Sequence, residues 1–173
     1  IPFIGLKQGK HLFEYEIDNT FFEAFGFNEF NNSSLKIELD FDKKSSLFEL
    51  DFKLSGNINI DCDISLEPYE QEIKGNLPLI VKFGPEYNDD NDEILIIPHE
   101  HYEINVSQII YELIILSVPT KKVHPKVLDG TMDSEALNKL RELEIKGNKS
   151  SNKEENIDPR WDKLKNLITE KKT

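Results

Sequence analysis

The run Leu35-Lys36-Ile37-Glu38-Leu39-Asp40-Phe41-Asp42 decides the fold class. Its odd positions are apolar and its even positions charged, which is the two-residue period of a strand with one buried and one wet face. After Lys43-Lys44-Ser45-Ser46 the phase reverses: Phe48, Leu50, Phe52 and Leu54 carry the apolar face, and Ile58, Ile60 and Cys62 continue it past Ser55-Gly56-Asn57. The two runs predict a hairpin whose long second arm is bent or bulged at Gly56, since a glycine inside a strand pattern commonly marks such a break. An earlier strand holds Phe13, Tyr15 and Ile17; a later one holds Ile73, Leu77, Leu79, Val81 and Phe83; a last one runs through Ile94 to Ile97. Pro78 has no amide proton to give to a ladder, so its strand belongs at an edge or a bulge. Sequential hairpins of this kind predict an antiparallel meander sheet or an open barrel.

Two helices punctuate the strands and make the class α+β. Asp18 or Asn19 can cap a short helix carrying Phe21, Phe22 and Phe25, which Gly26 would end. Asn105 is the expected N-cap of a second, with Gln108 three residues on and Ile104 stapled against Ile109. Val106, Ile109, Ile110, Leu113, Ile114 and Leu116 give that helix a broad apolar arc to press into the concave side of the sheet, and Pro119 stops it. Residues 1–118 thus read as the sheet-and-helix core and 119–173 as a partly helical C-terminal extension. Asp133-Ser134-Glu135 opens a helix with Leu137, Leu140 and Leu143; residues 147–156 contain no apolar side chain able to offset the entropy of ordering, so they are expected to be mobile. A terminal helix is expected over 159–169, with Asp158 as cap, Pro159 at its first position and Trp161, Leu164 and Ile168 on one face. That face is read either as a docking element or as folding back on the sheet.

The charge is unevenly divided. Up to Asn105 there are 8 basic and 22 acidic residues, net −14, and beyond it 13 and 11, net +2. Affinity for nucleic acid comes from lysine and arginine displacing counterions, so the acidic body opposes direct phosphate contact. The same field would attract and orient a basic protein. A single cysteine forms no internal disulfide, and the longest apolar runs, of which Ile109 to Leu116 is the clearest, are far short of the ~20 residues that cross a bilayer. The expected setting is cytoplasmic, with no membrane insertion.

Asp61-Cys62-Asp63-Ile64-Ser65-Leu66-Glu67-Pro68, Leu116-Ser117-Val118-Pro119, His124-Pro125 and Asp158-Pro159-Arg160-Trp161-Asp162-Lys163-Leu164 follow one another in an order and spacing that resembles the YceD family, the large ribosomal RNA subunit accumulation proteins. In its zinc-type members the first stretch reads Cys-x-Arg-Cys-Leu-x-Pro, and a second Cys-x-x-Cys follows the Pro/His segment. Cys62, Leu66, Pro68, Pro119, His124 and Pro125 stand at matching positions, whereas Ile64 and Ser65 replace the arginine and second cysteine, and Leu128 to Met132 contains no thiol. The resemblance implies a part in accumulating large-subunit ribosomal RNA.

The chemistry-bearing residues point away from catalysis. Cys62 lies on the apolar phase of its strand and is expected to pack as a small hydrophobe. His99-Glu100-His101 offers two imidazoles, but structural zinc takes four ligands, so no zinc is expected. Asn88-Asp89-Asp90-Asn91-Asp92-Glu93 lacks the glycine and final glutamate spacing of a calcium loop and reads as a solvated hairpin loop. With no nucleophile–base pair, phosphate cradle, cofactor or small-molecule substrate suggested, the expected role is a non-enzymatic accessory factor in ribosome biogenesis. Its expected partner is a basic ribosomal or ribosome-assembly protein, contacted with help from Arg160, Trp161, Lys163, Leu164, Lys165 and Ile168. The competing reading is a direct RNA-binding protein that uses the same basic, Trp-containing end.

Overall fold

The structure, a computed structural model, describes residues 1–91 and 93–143. The chain divides into Ile1–Leu140 and Arg141–Thr173; the expected linker over 147–156 and terminal helix over 159–169 lie outside the described residues. The first four strands, β1 (Gly9–Ile17), β2 (Asn32–Lys43), β3 (Leu47–Asp61) and β4 (Pro68–Gly84), form an antiparallel meander. The phase reversal sets Ile37 opposite Leu54, Leu39 opposite Phe52 and Phe41 opposite Leu50. All six side chains are buried, and their wet-face neighbours alternate with them.

The rest of the sheet departs from a meander. It is mixed and open, in the order β1-β2-β3-β4-β6-β5, with β5 (Asn88–Asn91) and β6 (Ile94–Pro98). The expected last strand is therefore present, but it runs parallel to β4, with Val81 opposite Leu95 and Phe83 opposite Ile97. Composition explains the swap. β5 is Asn-Asp-Asp-Asn, wholly exposed, and has nothing to bury in an interior position, whereas β6 supplies Leu95 and Ile97 to the core. The polar arm, expected as a loop, takes the edge, and the apolar arm inserts beside β4.

Two glycine and proline readings are refined. β3 is neither bulged nor shifted at Gly56: the register runs on through Leu35 opposite Gly56 and Ser34 opposite Asn57. Gly56 is needed because its φ is +143° and a Cβ there would stand 2.3 Å from the Ser34 carbonyl oxygen. Pro78 lies on β4 just before β6 joins at Ile80, where that strand has one neighbour, as a residue without an amide proton requires.

Helix α1 (Asn19–Ala24) is capped by Asp18, whose carboxylate accepts from the Thr20 amide at 3.0 Å. It buries Phe22 and stacks Phe25 on Tyr111 of α2 (Ser107–Ser117) at 4.5 Å. Helix α2 packs on β4 and β3 through Val106, Ile110, Leu113 and Ile114. Its start lies one residue later than expected: Val106 is the cap residue, Asn105 accepts from the Ser107 amide, and Gln108 bonds forward to Glu112 instead of back to the cap. Leu116, expected in the apolar arc, is 85 % exposed, because the helix turns it away from the sheet while Gly75 admits Ser117 and Leu113. Short α3 (Pro125–Leu128) and amphipathic α4 (Glu135–Leu143) follow. Ser134 accepts from the Leu137 amide at the start of α4, whose Leu140 and Leu143 are exposed.

Candidate functional site

Between β3 and β4 the chain reverses through Cys62 to Glu67. The Cys62 amide donates to the Glu67 carbonyl at 3.0 Å and the Leu66 amide to the Cys62 carbonyl at 2.9 Å. Closing so tight a turn puts Leu66 at φ +60°, with its side chain 73 % exposed. The Cys62 sulfur, fully buried, accepts three backbone N–H groups: Ile64 at 3.5 Å, Ser65 at 3.4 Å and His124 at 3.3 Å. The donor from His124 comes from a segment 62 residues away in sequence. A reciprocal pair ties the same segments together, since the Asp63 amide donates to the Lys122 carbonyl and the Lys122 amide to the Asp63 carboxylate, both at 2.8 Å.

His124 has two jobs there. Its Nδ1 accepts from the Lys126 amide at 3.0 Å, and with Pro125 at the first helical position it starts α3. Its ring lies 5.4 Å from that of the buried Tyr69. Burial pushes the Cys62 thiol up, but the N–H donors of His124, Ser65 and Ile64 and the Ser65 hydroxyl outweigh it and hold the thiol below its ordinary value. The turn gathers backbone donors on one buried sulfur, and this donor set does not fit the zinc of the family's zinc-type members. Ser65 occupies the second thiol position, the chain has one cysteine, and no group of three or more metal-ligating side chains is gathered among the described residues. His99 stacks on Phe83 while His101 lines a different surface, so the two imidazoles serve separate places.

The structure thus brings together Cys62, Leu66, Pro68, His124 and Pro125. Pro68 opens β4 beside the turn, and Pro119 follows Val118 at the end of α2. Arg160, Trp161, Lys163, Leu164, Lys165 and Ile168 lie outside the described residues. Sequence reading missed the Asp63–Lys122 pair and Tyr69, for which only tertiary proximity is a signal. It also missed a second feature, a groove of about 410 Å³ where β4, β5 and β6 meet the start of α2.

A family model described as Large ribosomal RNA subunit accumulation protein YceD matches residues 50–168, well over half of the chain. No curated protein and no solved structure matches.

Proposed function

The chain belongs to the YceD family, and from that premise we propose that it is a non-enzymatic accessory factor of ribosome biogenesis that promotes accumulation of large-subunit ribosomal RNA through protein partners. The observation that carries the reading is the family match itself, which begins in β3 and takes in the Cys62 turn, α2 and the His124-Pro125 segment. Electrostatics supports the route through protein. A body of net −14 up to Asn105 repels phosphate and draws a basic ribosomal or assembly protein. Arg160, Trp161, Lys163, Leu164, Lys165 and Ile168 supply a second point of attachment, and two modest contacts on one chain add affinity through effective concentration.

Depleting the protein and measuring large-subunit ribosomal RNA tests the role; unchanged RNA would refute it. Titrating the full chain with ribosomal RNA at increasing salt tests the route. Tight binding that falls steeply with salt would replace the protein bridge by direct RNA contact.

A further inference from the structure

We propose that the groove between the β4–β6–β5 side of the sheet and the start of α2 is a docking site for a lysine- and arginine-rich peptide segment with an apolar anchor. This deepens the reading above, because it assigns the contact with a basic partner to a particular surface.

The floor of the groove is apolar. Leu79, Leu95, Ile97 and Ile104 are buried beneath it, and half-buried Leu77 and Ile109 form its walls. At about 410 Å³ it has room for one or two large side chains. The rim is acidic and is assembled from three places: Asp89 on β5, Glu103 ahead of α2 and Glu112 on α2, all exposed. Tyr87, exposed and also lining the groove, donates to Asp89 at 3.2 Å.

Part of the outer face of the sheet is paired internally, while Glu16, Asp42 and Glu70 there have no lysine or arginine partner among the described residues; the rim is set apart by enclosing an apolar floor. On the outer face, Lys36 pairs with Glu14 and Glu38, Lys53 with Asp40 and Asp51, and Lys44 with Glu49. Among the described residues, no lysine or arginine pairs with Asp89, Glu103 or Glu112, and of the lining residues only His101 can become cationic. Carboxylates with no lysine or arginine partner among the described residues, set around an apolar floor, complement a cationic segment that inserts a leucine or an aromatic ring. A phosphate chain, or this face of a second copy, would set anion against anion.

The test uses the full chain and a fluorescent synthetic peptide in which lysines and arginines flank a leucine-phenylalanine pair. Saturable binding that weakens with salt is expected, and Asp89→Lys with Glu112→Lys should lower affinity by about tenfold or more. A control with equal charge change elsewhere, Glu23→Lys with Asp129→Lys, should leave it unchanged. If the lysine variants fail to fold, Asp89→Asn with Glu112→Gln keeps the shapes and should still weaken binding. Absence of saturable binding, equal loss in the control, or direct binding of a labelled RNA oligonucleotide to the full chain that Asp89→Asn with Glu112→Gln alters would overturn the proposal. It fails separately from the ribosomal role, which falls if cells lacking the protein keep normal large-subunit RNA whatever the peptide does.

Discussion

Cys62 is held by backbone amides, and that defines what its substitutions should do. Cys62→Ala removes the acceptor of three N–H groups and leaves a small void, so a loss of about 2 to 4 kcal/mol is expected in urea unfolding. Cys62→Ser, which keeps an acceptor, should cost clearly less; equal losses would mean that packing volume alone matters there. The native thiol should resist alkylation despite its lowered pKa, because the sulfur is fully buried. The pH dependence follows from the sign of the shift. A thiol whose pKa is depressed on folding favours the thiolate in the native state, so its contribution is absent at low pH, grows as pH rises through the folded value and is complete above the ordinary value of 9.0. The stability gap between the wild-type protein and Cys62→Ser should therefore widen as pH approaches 9.0; a constant gap would contradict the assignment. Tyr15 and Tyr69, both raised chiefly by burial, act in the opposite sense and lose their contribution as pH climbs past 10.0.

At the scale of elements, two glycines set how closely neighbours approach. Gly56→Ala would drive a methyl into the Ser34 carbonyl on β2 at a φ that side chains rarely adopt, and neither backbone can yield without breaking the β2–β3 register. A loss of roughly 2 kcal/mol or more is expected in thermal or urea unfolding. Gly75 differs because its obstacle is a side chain: a Cβ there would meet Ser117 Oγ at 2.3 Å. Gly75→Ala should destabilise the contact between β4 and α2, and adding Ser117→Ala should recover part of the loss. A double-mutant cycle with no coupling between the two sites would show that the clash is relieved some other way.

At the scale of the whole molecule, the buried residues among those described run from Phe3 to Ile114, with Met132 beyond. A body built on that core is expected to keep its melting temperature nearly unchanged when Trp161 and Leu164 are both replaced by Ala, while large-subunit RNA falls in cells that depend on the protein. A large drop in melting temperature would end the docking role of those two residues.

Alternation with period two was enough to write down β1 to β4, their inward faces and the wet outer face, because burial of one face of a strand is a local property of the chain. Composition likewise narrowed the N-cap of α1 to Asp18 or Asn19 and placed the stop at Pro119, and the spaced motifs carried the family. The position of β6 was not legible, since the local pattern reads Asn88–Asn91 as a loop and does not say which strand Ile94–Pro98 takes as its neighbour, a choice made between elements. The need for Gly56 could be seen as a break in pattern but not as a close approach, which takes the neighbouring strand to define. The third donor of the sulfur cage and the whole groove belong to the tertiary structure: the first comes from His124, 62 residues away, the second gathers Asp89, Glu103 and Glu112 from separate elements around a shared apolar floor. Periodicity records what a residue does for its own strand or helix, whereas a site is a distance between elements, and that distance exists only once the sheet has chosen its order.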